Sequence, residues 1–456
     1  MKPSPRIKRK RIGLCCLFLL SFSVISCASN IRYYPQLNEY LYARDYDSAC
    51  RLIKESRKDF KKRDILLYYL DEGLIAHFAS RYEESNRSLS QAGSIMDKLY
   101  TRSLSREAAS FVINDNTIPY RGEDFESALV NLFMSLNYAG LGLWDDALVE
   151  ARKVDNKLNI LNARYEENER NVYREDAFIR FLMGVLYEAQ GEINDAYISY
   201  WKSQEIYRTD YLPNYGVSPP AFLIKSLLGA AQAMGFQEEM MGIQREYPDI
   251  AIERQVTKKD MAEVYFIHYN GPGPEKVEEY FLVPMPDGYI MKMAYPGFVK
   301  KSYGIRGSKI LLENLSSRRS YSFDTALMED ISSIAVKNLD NRIGRIRAKA
   351  IVRMTAKYLM ARAAEKAARE NGGDILGLMV RAASQIISLT TEHADIRHWR
   401  LLPAEIRVGR AVIAPGEYEG KISFVTAGGT AVDSIHTPRF SITKGEKKFF
   451  TFRTLN

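Results

Sequence analysis

The chain has 456 residues, 46% hydrophobic and 26% charged, with four cysteines and no low-complexity tract. That mix excludes a disordered polymer and a disulfide-dense mini-domain, and the length suits two or three domains with sizeable cores. The formal charge of +8 is concentrated in Lys2, Arg6, Lys8, Arg9, Lys10 and Arg11, so it gives no ground for a nucleic-acid partner.

Those six cations begin a leader. The run "IGLCCLFLLSFSVIS" that follows has signal-peptide length and is short for a membrane span. Val24-Ile25-Ser26-Cys27 then resembles the lipobox of bacterial lipoproteins, with Ile25 bulkier than usual. This predicts cleavage after Ser26 and a lipidated Cys27 as the first mature residue. One acyl chain holds a protein only marginally, whereas the two or three that bacterial lipoproteins usually carry anchor it stably. An uncleaved amino-terminal anchor is the alternative. Ala28 follows, not aspartate, which in a Gram-negative cell points to the outer membrane. Without residues 1–26 the net charge falls to about +2, Cys15 and Cys16 are gone, and Cys50 is the one remaining free thiol. It cannot form an internal disulfide and reads as a buried helix residue.

Residues 27–250 read as helix after helix. "ARDYDSA", "SRYEES", "GLWDDA", "GEINDA" and "GFQEEM" mostly place a turn residue, an aromatic or branched one, then acids and often a small residue. The helices before most of them carry Gly73, Ser135 and Gly184 where a second helix must approach, and Tyr138 and Tyr187 where an aromatic fills the gap to the next repeat. These words resemble tetratricopeptide repeats, most clearly at 129–156 and 178–205, less so at 67–94, with 37–56 and 221–246 as caps. A generic helical bundle is the alternative.

"NDNTIPYRGEDFE", residues 114–126, interrupts the repeats. Pro119 and Gly122 break helix, and Asp124 is expected to cap the helix starting at Phe125. Tyr120, Arg121, Glu123 and Asp124 would gather there, either as a recognition loop in which Arg121 takes a partner's carboxylate, or with Arg121 paired to Glu123 or Asp124 to tie the loop down. A second insertion, 159–177, is charged and helix-compatible, and is expected to extend one helix and start the next, with no site in it.

Residues 251–327 are rich in β-branched and aromatic residues and predict strands near 261–271, 275–286, 288–296, 309–313 and 318–323. Residues 328–390 predict a helical pair. The first, to about 370, carries nine Lys or Arg against two Glu over 341–370 and could lie on anionic lipid or against an acidic neighbouring surface. After Gly372-Gly373, "DILGLMVRAASQIISL" is apolar nearly all round and predicts a buried partner helix. Residues 391–456 predict a β segment packing with 251–390, as a small sandwich or a sheet closing on the helices. The fold class is therefore α+β: a tetratricopeptide-like α-solenoid followed by a mixed β domain with a long basic helix and a buried one.

Glu392, His393, Asp395 and His398 cluster in sequence, but their spacing suits neither one helix face nor a strand, and no metal or cofactor is expected. Trp399 and Leu401-Leu402 are expected to plug a core. No nucleophile elbow or carboxylate pair stands out.

With the lipobox, the repeats, "PYRGEDFE", "DAYISY" and "HWRLLPAEIRV" in view, the chain is similar to a family of bacterial lipoproteins with tetratricopeptide repeats. Such proteins occur beside lipoproteins related to the activators of penicillin-binding proteins and to the curli secretion channel. The resemblance implies envelope assembly work; no chemistry carries over to any residue. Two functions compete: a non-catalytic scaffold, held by lipid on Cys27 and facing the periplasm, whose repeat groove docks an envelope protein; or a cell-wall or lipid-acting enzyme with its site in the carboxyl-terminal half.

Overall fold

The computed structural model describes residues 33–104, 118–163, 170–251 and 260–456. The expected leader, the lipobox-like stretch and Cys27 lie outside the described residues. From Tyr34 onward helices come in pairs: α1 Tyr34–Tyr42 with α2 Tyr46–Ser56, α3 Ile65–Phe78 with α4 Tyr82–Leu104, and α5 Asp124–Gly140 with α6 Trp144–Asn162. Then follow α7 Ala177–Gln190 with α8 Ile193–Ile206, and α9 Ala221–Met234 with α10 Gln237–Glu246.

The five recurring words are the links inside these pairs. Each holds one residue in the left-handed region: Arg44, Ser80, Gly142, Gly191 and Gly235, with φ between 57° and 82°. Glycine adopts this freely, whereas Arg44 and Ser80 do so at a cost of about 1–2 kcal/mol each. The small residues sit where helices touch. A Cβ on Gly73 would lie 2.6 Å from Leu89, and one on Gly184 would fall on the ring of Tyr200. At the equivalent place the Ser135 hydroxyl donates to the Ala147 carbonyl across the pair (2.8 Å).

The Gly184→Ala variant should therefore lose about 1–3 kcal/mol in urea unfolding, because the buried Tyr200 ring is backed by Phe181 and has little room to move. Gly242→Ala in α10 meets nothing and should instead gain a few tenths to about 1 kcal/mol.

The carboxyl-terminal half contains β1 Ala262–Pro272, β2 Glu275–Pro284, β3 Ile290–Val299, β4 Ile305–Asn314, β5 Ser320–Asp324 and β6 Ala326–Glu329. After α11 Ile331–Asp340 and α12 Ile343–Thr391 come β7 Pro403–Ile413, β8 Gly416–Thr426, β9 Ala431–His436, β10 Phe440–Ile442 and β11 Lys447–Arg453. One sheet has the order β11-β1-β7-β6, with β1 parallel to β11 and antiparallel to β7. A second has the order β10-β8-β4-β5, with β9 also on β8, and among the described residues β2 pairs with β3 alone.

β1 is buried on both faces, which is why it reads as a nearly unbroken apolar run. Tyr265, Ile267 and Tyr269 point into a core shared with the repeat helices, while Val264 and Phe266 point into a second core shared with Ile310, Leu312 and Phe424. The result is three layers: helices, the first sheet, the second sheet. Tyr269 packs on His77, Phe78 and Phe133, and Tyr265 on Phe181, so residues from α3, α5 and α7 are covered by the chain's own strand. The expected open groove is, along these helices, internally filled.

Two expectations for the helical segment need correction. The stretch from 328 to 370 is not one helix, since α11 and α12 are separate and the backbone leaves helical geometry again at Gly373 (φ 81°, ψ 178°). The second arm, after Gly373, is not buried: Ile375 is 76% exposed, Met379 64% and Ile386 61%. Its inward face is polar or small instead. Gly377 sits against Arg369 of the first arm, Arg381 donates to the Asp287 carbonyl, and the Ser388 hydroxyl points at the Met291 sulfur. The arms lie against the β2–β3 hairpin over a small separate core of Tyr289, Met291 and Met354. Part of the excess of cations in the first arm is met by acids of the same chain: Arg353 and Lys357 hold Glu392, and Arg362 holds Asp287.

Candidate functional site

The two most specific words in the sequence, Pro119–Glu126 and Trp399–Val408, are opposite sides of one junction. Of the loop 114–126 that holds the first, residues 114–117 lie outside the described residues. α5 starts one residue earlier than expected, with Glu123 rather than Asp124 as its cap, in a reciprocal box with Glu126. Glu126 Oε2 accepts from the Tyr120 hydroxyl (2.6 Å) and the Glu123 amide (3.0 Å), while its Oε1 accepts from the Trp399 amide (2.7 Å). Burial, and then the charge of Glu123, push the Glu126 carboxyl up to about 7.

Glu123 belongs to the neighbouring ion cluster. Lys276 Nζ lies 2.5 Å from its Oε1 and Arg342 Nη2 2.7 Å from its Oε2, and Arg342 also reaches Asp124 (3.3 Å). Burial opposes ionisation of Glu123, but these two cations outweigh it and hold the carboxyl far below its ordinary value. Arg397 closes the junction from the other side: it pairs with Asp395 (2.6 Å) and Asp64 (2.9 Å), donates to the Ile118 carbonyl (3.1 Å), and stacks over the Tyr120 ring at 5.3 Å. Trp399, 1% exposed, is set edge-on to Phe133, as the plug expected of it.

The sequence-predicted partner residues therefore fare differently. Tyr120 is buried, and Glu123 and Asp124 are engaged by Arg342, with Lys276 also on Glu123. The loop is a weld between repeats and sheet, not an open recognition element. Arg121 pairs with neither Glu123 nor Asp124; it is exposed and makes no ion pair among the described residues. Tyr138 is half-buried against the main core. Tyr187 is buried between α6 and α7, where its hydroxyl accepts from Arg152 (2.7 Å) under the same guanidinium. These two aromatics fill inter-repeat space and do not join the junction.

The Glu392–His398 cluster does not converge. Glu392 faces Arg353 (2.8 Å) and Lys357 (2.5 Å), Asp395 faces Arg397, and His393 is exposed beside Glu278 (3.2 Å). The buried His398 donates from Nδ1 to the Ile396 carbonyl (2.9 Å), and burial lowers its pKa to about 3. Among the described residues no group of three or more His, Cys, Asp or Glu side chains is gathered as a metal would require.

Sequence reasoning missed Lys276, Arg342 and Glu126, and a second buried relay. His77 lies between Asn137 Oδ1 (2.5 Å from Nδ1) and the Tyr269 hydroxyl (2.6 Å from Nε2). The Asn137 amide nitrogen already donates to Ser85 and Asn86, so its oxygen accepts from Nδ1–H and Nε2 accepts from Tyr269. Burial lowers the His77 pKa to about 4, which keeps it neutral at pH 7. Chemically, the junction holds its charged groups against partners of the same chain.

The sequence matches no protein-family model and no curated protein. Among solved structures the chain is similar to BtubC from P. vanneervenii (14% identity, TM-score 0.32, covering 47% of this chain and 76% of that one). It is also similar to MamA from AMB-1 (15%, 0.29, 48% and 90%) and to a Podosopora anserina kinesin light chain with tetratricopeptide-like repeats (14%, 0.31, 48% and 94%). With TM-scores near 0.3 these overlaps carry no weight of their own; the repeat assignment stands on the helix pairs, their left-handed links and their small contact residues.

Proposed function

We propose that the chain is a lipoprotein of the bacterial cell envelope, tethered through acylated Cys27, facing the periplasm, and working by binding envelope proteins instead of by catalysis. The observation that supports a binding role best is the use made of its polar residues. Glu123, Glu126, Glu392, Asp395 and His398, the groups from which a reactive centre would be built, are each fixed by partners within the chain. What remains is a rigid, repeat-built body offering surface. Because β1 covers the inner faces of α3, α5 and α7, a partner is met by other parts of that surface, among them the exposed Arg121 at the rim of the junction.

The test has two parts, both on material from the native host. Intact-mass analysis should find a chain beginning at Cys27 and carrying acyl groups; Met1 still present without acyl groups would remove the compartment. A photo-crosslinker at Arg121 should trap one or a few envelope proteins in cells, whereas one at the buried Tyr120 should trap none. Equal, background-level recovery from both positions would count against the binding role.

A further inference from the structure

We infer that the helical hairpin formed by the two arms of α12, residues 343–391, is a self-association surface, and that its occupant is the same face of a second copy of this chain. The hairpin is built inside out. Its inner side is ionic: Glu365, buried between the arms, is held by Arg362, Arg369 (2.8 Å) and Arg381 (3.9 Å). Its outer side is hydrocarbon. On the second arm Ile375, Leu378, Met379, Ile386 and Ile387 are exposed, and on the first arm Val352, Leu359 and Met360. An exposed apolar face of this kind is the reverse of a surface helix in a monomer, which turns its apolar stripe inward.

Three observations choose a second copy. The first is area: eight large apolar residues of the hairpin, each at least half exposed, offer surface on the scale of the ~800 Å² each partner contributes to a standard interface, beyond the ~300–600 Å² of the largest patch on a typical monomer. The second is spacing. Ile375, Met379, Ala382 and Ile386 follow steps of four, three and four, the seam of a helix that packs against another helix. On the first arm Ala356 and Ala363 alternate with the larger residues and allow close approach. The third is charge. Docking on anionic lipid uses cations flanking the apolar face, but Arg362, Arg369 and Arg381 engage Glu365, the exposed Lys366 faces Glu370 (3.9 Å), and the outward stripe of the second arm carries no Lys or Arg. The hairpin beneath supports the same conclusion. A two-stranded sheet over a small core is marginal alone, and β2 leaves Tyr280, Phe281 and Leu282 exposed.

The experiment is sedimentation velocity on the full chain, comparing wild type with the Met379→Glu/Ile386→Glu double variant. Both positions are exposed, so the protomer's own packing is left alone. Wild type should sediment as a dimer or larger assembly at micromolar concentration, and the double variant should weaken association by at least ~30-fold. Val149→Glu/Ile198→Glu, which charges exposed apolar residues on α6 and α8, should leave it unchanged. Should the double variant fold poorly, a single Met379→Cys provides a second reading: oxidation should join two chains through residue 379. A monomeric wild type at tens of micromolar, association indifferent to the glutamates, or a monomer that floats with phosphatidylglycerol vesicles through this hairpin would each overturn the proposal.

Discussion

Replacing Arg342 by methionine should cost about 3 kcal/mol at pH 7, because it leaves the buried Glu123 carboxylate with Lys276 as its remaining close cation. The loss is not that of a surface pair. Arg342, Lys276 and Glu123 are all nearly closed to solvent, so water cannot take over from the missing guanidinium. In a Glu123→Gln background the same substitution should cost less, about 1–2 kcal/mol, since Asp124 alone then loses its contact with Arg342; the difference is the coupling energy a double-mutant cycle reads. The pH dependence has a fixed sign. Glu123 ionises in the folded chain at a pKa below its ordinary value of 4.5, so its contribution is complete above that value and is lost as pH falls toward the folded one. The gap between wild type and Arg342→Met should accordingly narrow below about pH 4.5. Urea titrations at pH 7 and pH 4 check both statements.

Tyr269→Ala should lose about 3–5 kcal/mol, the range for emptying a buried aromatic site. Three aromatic neighbours, His77, Phe78 and Phe133, would face a void between two layers whose backbones are fixed by their own hydrogen bonds. Tyr269→Phe keeps the packing but leaves His77 Nε2 without its donor, and should lose about 1–3 kcal/mol. His77 itself gives the protein an acid-side slope. With its folded pKa lowered to about 4 from 6.5, the unfolded chain binds a proton that the native one refuses; stability therefore falls as pH drops from 6.5 toward 4.

How much of this was legible in the sequence follows from how local each signal is. The helix pairs could be read because left-handed links and small contact residues act within a few positions: Gly191 turns the chain between α7 and α8, and Gly184 meets Tyr200 sixteen residues on. The partners of Glu123 could not be read from the loop, because they are Lys276 and Arg342, far along the chain and without any local pattern. Both readings of the loop, open element or tied-down turn, rested on Arg121, while the charge of Glu123 is matched by these two cations instead. The covering of the inner helix faces was equally hidden, since strand neighbours such as β1 beside β11 and β7 are set by long-range pairing. Only the unbroken run from Val264 to Ile267 hinted that β1 faces two cores. The helix after Gly373 shows the opposite error. Apolar residues all round suggested burial, yet Gly377, Arg381 and Ser388 already marked a small, polar inner face four and seven residues apart.

Hydrogen exchange by mass spectrometry, run on wild type and Tyr269→Ala under native conditions, is the most direct test of whether helices and sheet form one body. Peptides from α3 and α5 and peptides from β1 and β7 should lose protection together and by equal free energies in the variant. Loss confined to the strands, with the helices as protected as before, would mean that the repeats stand without the strand that covers them.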